Sequence, residues 1–549
     1  MAAIVNRLSR WVRFLFGRLP DDPRFFAIRD ALAATRGHPA HLSGRRIALQ
    51  SLEDPFYYGL FSAITQRLSS GQGVTTDLVV VRSTNSAVGY GFRERMFRST
   101  PIVMLVAGKW VRALMENGSR VAYRSASLGQ PLADLFDWFR SRTLWQQLQS
   151  NPDISALHID GVCVGDLIID SYLRFRPAPR FDVTDPFVAQ LIWQAHRDIR
   201  RARSYFSRYK PDMYLTSYTT YVEHGVPARV ALELGVPVQS FGSLIRFGKR
   251  ITLSDWFHTP DTSAYRSTFE ALDAQSRRLD EARQQLQTRL SGGIDAATRY
   301  MRVSAYAASS EPLPDVSQSV IIFLHDFYDS PHVYADLVFP DFWTWVCFTI
   351  DTLRAAGFKV FVKPHPNQID LSSEVIQTLC ERYPGLALLS VRASNAQLAE
   401  AGMRCGVTVY GTVAHELAYL GIPTIACARH PHHSFDFCRT ARTREEYRQL
   451  LLSAGELPVP VAEMRRQALA FYYMHNLYSD ADTRLLQEKY LNFWKICHDE
   501  QAPPGKLVTA FDELRHSPAF QAGIDRLLDS PRHTDGVLRR AGALSEAVD

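Results

Sequence analysis

The chain has 549 residues, of which 46% are hydrophobic and 21% charged, and a formal net charge of +6. That length exceeds one simple core and implies two domains with additions, while an ordinary globular composition with no long basic run and no aromatic RNA-binding motif excludes nucleic acid as an expected partner. Seven cysteines, an odd number without a CxxC pair, fit a reduced, cytoplasmic setting better than a disulfide framework.

The first twenty residues, MAAIVNRLSRWVRFLFGRLP, carry Arg7, Arg10, Arg13 and Arg18 among nine large apolar side chains, with no acid before Asp21. The arginines interrupt the apolar centre that a cleaved signal peptide needs, and no run is long enough to span a bilayer. The segment reads either as a basic amphipathic helix at an anionic inner-membrane surface or as a helix packed on the protein's own surface.

From residue 45 strands and helices alternate. RRIALQSL (45–52), TDLVVV (76–81) and SRVAYRS (119–125) read as strands, and PIVMLVAGKWVRALMENG (101–118) as a helix. ALHIDGVCVGDLIIDSYLRF (156–175) leads into a polar helix near 184–208. PDMYLTS is then a strand, YVEHGVPARVALELG a helix and VPVQSF a strand. Residues 260–300 are charged and helical, and SSEPLPDVSQS (309–319) reads as a linker.

A second series follows. SVIIFLH, FKVFVKP, LALLS, CGVTVYG and IPTIACA are strands separated by helices over 341–357, SSEVIQTLCERYPG, NAQLAEAG and TVAHELAYLG. Strands alternating with helices mean βαβ units and parallel sheets. The expected architecture is α/β, two Rossmann-like domains in tandem. Its parts are a basic segment over 1–40, an amino-terminal domain over 41–310, a carboxyl-terminal domain over 311–500 and a helical tail over 501–549.

Ligands of open parallel sheets bind beyond the carboxyl ends of the strands. In KPHPNQ, Lys363 and His365 end a strand on the same side, and both can donate to an anion. In YGTVAHE, Gly411 permits a close turn, Thr412 can cap the following helix, and free N–H groups there favour a phosphate. Glu416 could accept ribose hydroxyls. The two loops lie about two βα units apart, so both can border one crevice, a plan suited to a nucleotide sugar. Cys427, His430, His432, His433 and Cys438 also crowd together, but the spacing fits no standard zinc site and Cys427 continues an apolar strand. No metal and no tightly bound cofactor are expected.

VKPHP, then YGTVAHELAYLGIPTI, then a histidine-rich loop resembles the carboxyl half of the GT-B glycosyltransferases that build bacterial capsule and lipopolysaccharide, in particular the capsule group that includes transferases using CMP-activated Kdo. FLHDFYDSPH, GDLIIDSYLRF and YVEHGVPARVALELGVPV are similar to further segments of such proteins. The resemblance implies a GT-B fold and transfer of a sugar, Kdo or a related sugar acid from a CMP donor, to a surface polysaccharide or lipid-linked glycan. It implies Lys363 and His365 on the donor phosphate, Gly411 and Thr412 on the phosphate or cytidine ribose, Glu416 on the ribose, and His325, Ser330 and His332 lining the same cleft. A transferase also needs a base or nucleophile from the amino-terminal half, for which Asp166, Asp170, Glu223 and His224 are candidates, with Arg174 to neutralise a phosphate or sugar acid. The alternatives are a sugar-nucleotide epimerase of the same fold and a non-catalytic polysaccharide-assembly protein.

Overall fold

The computed structural model describes residues 19–20, 22–35, 43–50, 54–78, 112–116, 120–121, 129–150, 153–176, 179–241, 248–299, 312–366, 370–499 and 501–529. The basic segment before Leu19, most of the helix expected at 101–118, the first part of the linker and the tail beyond Asp529 lie outside them.

The first half begins with α1 (Pro23–Ala34), β1 (Arg46–Leu49), α2 (Pro55–Gln72), β2 (Thr75–Leu78), β3 (Arg120–Val121) and α3 (Gly129–Leu148). A hairpin, β4 (His158–Ile159) and β5 (Val162–Cys163), leads to α4 (Gly165–Phe175) and α5 (Pro186–Tyr209). Then come β6 (Met213–Thr216), α6 (Val222–Glu233), β7 (Val238–Phe241), β8 (Gly248–Ile251), α7 (Tyr265–Glu270) and α8 (Gln275–Leu290). Asp54 and Asp185 each accept backbone N–H groups at a helix start whose first residue is proline, the position where a missing N–H costs nothing. The strands form one sheet, β3-β2-β1-β6-β7-β8, parallel except for β8.

The second half repeats the plan: β9 (Val320–Phe323), α9 (Phe342–Ala355), β10 (Val360–Lys363), α10 (Asp370–Arg382), β11 (Ala387–Leu388), α11 (Asn395–Glu400), β12 (Cys405–Val407), α12 (Val413–Leu420), β13 (Thr424–Ala426), β14 (Cys438–Thr440) and α13 (Arg444–Leu452). Its sheet, β11-β10-β9-β12-β13-β14, is parallel throughout. β9 is apolar and buried at every residue, as a strand covered on both faces must be. The fold is therefore the expected GT-B-like pair of Rossmann-like sheets. In each, the strand order reverses beside the first strand, at β1/β6 and at β9/β12.

The chain crosses between halves in two places that sequence blocks hide. α7 and α8 precede the linker, yet Tyr265, Phe269, Ala282 and Leu286 pack with Ala414, Ala418 and Phe471 of the second half. After α14 (Val461–Asn476), the helices α15 (Ala481–Cys497), α16 (Pro504–Arg515) and α17 (Pro518–Asp529) return to the first sheet. There Phe493, Phe511 and Phe520 share a core with Phe25, Phe56 and Ile47. Residues 481–529 thus join the amino-terminal core instead of dividing at residue 500, because their apolar faces find their partners there.

Candidate active site

The reversal at β9/β12 is where an open parallel sheet leaves a crevice. A cavity of about 270 Å³ lies there, walled by the ends of β9, β10 and β12 and the start of α12. It brings together His325, Lys363, His365, Gly411, Thr412 and Glu416.

Lys363 ends β10 and is buried; its ammonium makes no hydrogen bond among the described residues, and the charge it feels is that of Glu416. Burial lowers its pKa, a cost of holding an ammonium out of water that an anion in the cavity would offset. Pro364 and Pro366 fix the backbone on either side of the half-buried His365. Burial, opposed by Asp326 and reinforced by Lys363, lowers the His365 pKa.

Gly411 leaves no room for a side chain: a Cβ there would stand 2.7 Å from Thr408 Oγ1. Its N–H donates to that hydroxyl at 3.2 Å, and the hydroxyl shares a 3.1 Å hydrogen bond with His325 Nε2. His325 stacks on Phe342 at 4.8 Å, and burial pushes its pKa down to about 3. Thr412 stands at the start of α12 in helical backbone, and its hydroxyl does not make the expected capping bond.

Glu416 is buried in the cavity wall with both oxygens engaged, one by Arg289 Nη1 at 3.0 Å and the other by Asn395 Nδ2 at 2.6 Å. Arg289 also pairs with Asp295 at 3.0 Å, and Asp295 accepts from Tyr472 and Thr298. Thr408, Tyr410 and Asn395 were not singled out in the sequence. Thr408 could have been, since it ends the strand that enters YGT. Arg289 could not, because α8 lies far from α12 in the chain.

The second group of expected residues meets where the halves face one another. Gly165 opens α4 under the β4–β5 hairpin, and a Cβ on it would overlap the Ile154 carbonyl oxygen at 1.7 Å, so only glycine lets α4 start there. α4 presents Asp166 and Asp170. Both oxygens of Asp166 are held by Arg229, at 2.7 and 2.5 Å, and the guanidinium lies 4.3 Å from the centre of the Trp256 ring. Burial raises the Asp166 pKa, but Arg229 outweighs it and holds the carboxyl below its ordinary value. Asp170 instead reaches across to the second half and meets His332 Nδ1 at 2.7 Å.

Burial raises the Asp170 pKa. Burial alone would lower that of His332, but the Asp170 carboxylate outweighs it and raises it. Losing the shared proton would leave a net buried charge, so the pair holds it tightly. His332 and Asp166 line a second cavity of about 190 Å³ with Asp153, Trp256, Phe257 and Phe339. Tyr334 belongs to the walls of both cavities.

Besides Asp170, which reaches its cavity only through His332, four expected residues stand apart from both walls. Ser330 is buried beside the His332 turn, and its carbonyl accepts from Tyr410 at 3.2 Å. Arg174 donates to the Tyr328 carbonyl at 3.5 Å. Glu223 and His224 lie at the edge of the first sheet, where His224 Nδ1 shares a 3.1 Å hydrogen bond with Gln50.

His430, His432 and Cys438 place one ligand atom each within 4.8 Å of one another, all buried. The rings of His430 and His432, however, stack at 3.6 Å and 27°. Nearly parallel rings hold their in-plane lone pairs side by side instead of converging on one ion, and His430 Nε2 is already bonded to Thr440 at 2.7 Å.

No family model matches the chain, and no curated protein does. Among solved structures, the β-Kdo 2,4-transferase KpsC of Thermosulfurimonas dismutans aligns at 14% identity over 45% of this chain and 79% of that one, with a TM-score of 0.27. A UDP-GlcNAc 2-epimerase of Neisseria meningitidis aligns at 8% identity over 77% and 97%, with a TM-score of 0.18. The wall teichoic acid polymerase TagF aligns at 9% identity over 88% and 97%, with a TM-score of 0.19. Overlaps this slight carry no argument about chemistry, which rests on the residues.

Proposed function

We propose that the chain is a glycosyltransferase, with its nucleotide-sugar donor in the larger cavity and its acceptor hydroxyl presented to His332 in the smaller one. The observation that carries this reading is the Asp170–His332 pair: an imidazole oriented by a carboxylate from the opposite half, lining a cavity that shares Tyr334 with the phosphate-friendly one. Asp170 holds Nδ1, which leaves Nε2 as the ring nitrogen to receive a proton.

Lys363 and the backbone at Gly411 and Thr412 take the donor phosphate, with His365 beside them. The anomeric carbon's bond to the phosphate oxygen breaks, a bond to the acceptor oxygen forms, the acceptor proton passes to His332, and the nucleotide leaves with its charge against Lys363. Glu416 holds the cavity wall through Arg289 and Asn395 and balances Lys363. The donor in this reading is a CMP-activated sugar acid such as Kdo, and the acceptor a surface polysaccharide or lipid-linked glycan, on the likeness of VKPHP and YGTVAHELAYLGIPTI to that capsule group.

A melting screen of the full chain against CMP, UDP, GDP and CDP tests the donor. A nucleotide at about a hundred times its dissociation constant adds about 2.7 kcal/mol of stability. The expected result is a shift with CMP that Lys363→Met cuts by about half or more. No shift with any nucleotide, and no transfer from any nucleotide sugar, would refute the proposal. A product that is the donor's own epimer would replace it with the epimerase reading.

A further inference from the structure

Helix α3 is turned inside out. Its two carboxylates, Asp134 and Asp137, face α5: Arg200 reaches Asp134 at 2.5 Å and Asp137 at 2.8 Å, and Arg201 reaches Asp134 at 2.8 Å. Ser141 and Trp145 complete that buried side. The other side is apolar and bare: Leu132, Leu135, Phe136 and Phe139 are 71%, 52%, 63% and 57% exposed. Their spacing of three, one and three residues makes one continuous helical stripe. Trp138 flanks it, 37% exposed, with the Arg142 guanidinium 5.3 Å from its ring centre. Isolated exposed apolar residues are normal, but a contiguous stripe of leucine and phenylalanine is a surface meant for another apolar phase.

We infer that the outward face of α3 docks on an anionic lipid surface. The chemistry that chooses a lipid occupant is the order of residues along the helix. The apolar stripe runs into Arg142 and into Arg140, whose guanidinium pairs with Asp160 at 2.7 Å at the rim; both carboxylates of the helix are spent inward on Arg200 and Arg201, and Trp138 stands at the boundary where an indole prefers to sit. An apolar stripe rimmed by arginine and tryptophan matches the acyl boundary and the phosphates above it. The first twenty residues repeat this composition in the sequence, with four arginines, a tryptophan and no acid. Docking by α3 rests on neither the proposed donor nor the proposed base.

The test is flotation of the full chain with vesicles rich in phosphatidylglycerol, beside vesicles of phosphatidylcholine alone. The wild-type chain is expected to float with the anionic vesicles and to detach as salt is raised. Leu135→Glu with Phe139→Glu is expected to cut that partition about tenfold or more while leaving the melting temperature within a degree or two, since both positions are exposed. Four outcomes overturn the inference: no binding to either vesicle, equal binding to neutral vesicles, unchanged binding by the double variant, or a dimer in light scattering that the double variant breaks without any vesicle binding. The last would assign the stripe to a second copy of the chain.

Discussion

The two sheets share one strand order, and the ends of their strands are used in opposite ways. At the edge of the first sheet, Gln50 spends its whole amide on neighbours: Nε2 donates to the Glu223 carbonyl at 3.0 Å, and Oε1 accepts from Thr216 at 2.7 Å and meets His224 at 3.1 Å. Burial pushes the His224 pKa down to about 4, so the ring is neutral and already bonded. At the edge of the second sheet, Lys363 is buried as an ammonium without a hydrogen bond among the described residues, facing a cavity. A buried polar group that is paired stabilises the fold; one left unpaired costs about 1–3 kcal/mol, and more when charged, and is kept only where something else pairs it. The same strand order therefore does not make two equal sites. The edge that leaves a charge waiting is the one to which we assign the donor.

The strongest way to break this contrast is to remove the group that bridges the halves. His332→Ala is expected to lower kcat by about 10²–10⁴-fold while leaving the affinity for free nucleotide unchanged, as a lost general base would. A parallel loss of nucleotide affinity, measured by calorimetry, would place His332 in the donor pocket instead. Glu416→Ala should act on folding: it takes away one of the two carboxylates that hold Arg289, which keeps Asp295, and the partner of Asn395, a loss expected to cost about 1–3 kcal/mol. Denaturant unfolding reads that loss directly. A well-folded Glu416→Ala protein that has lost only ribose-containing ligands would make Glu416 a ligand and not a brace.

Lys363→Met sharpens the contrast from the other side. Losing a charge-assisted contact to phosphate is expected to weaken nucleotide binding by about 10–100-fold. The melting temperature of the unliganded protein should hold or rise, because the desolvated ammonium is gone. Gln50→Ala is the matching change in the first sheet. It should lower stability by about 1–2 kcal/mol, through the bonds it breaks to Thr216, His224 and Glu223, with nucleotide affinity intact.

Much of this plan could be read before any coordinates. Short apolar runs such as VIIF and VFVK between glycines and prolines mark buried strands, so five strands of each sheet and the loops at their ends follow from local pattern, while the outer strands β8 and β14, GKRI and CRT, are too short and polar to stand out. The cavity residues Lys363, His365, Gly411 and Thr412 were legible for the same reason: each sits at a strand end. What local pattern cannot carry is pairing across the chain. Nothing in GDLIIDSYLRF says that Asp166 is closed off by Arg229 while Asp170 meets a histidine of the other half. Nothing in the charged α8 says that Arg289 will occupy Glu416. The same holds for 481–529, whose amphipathic helices announce an apolar face and not which core will take it.

The smallest expected effect is also the most diagnostic for the bridge between halves. The Asp170 carboxylate raises the His332 pKa above its ordinary value of 6.5, against the pull of burial. A group raised in this way adds stability that is fully present below 6.5 and fades as pH climbs through its folded value. As a base, His332 works only once that proton is gone, so kcat/KM is expected to rise with pH through a limb lying above 6.5. In Asp170→Asn the largest charge that raised the pKa is removed, and burial is opposed only by the more weakly acting Asp166 and Asp153. The limb should then move to lower pH, and the extra stability below 6.5 should vanish with it. A fall in kcat without movement of the limb would mean that Asp170 only packs against the ring. Movement toward higher pH would mean that the titrating group is not His332, and the base would have to be sought elsewhere along the second cavity.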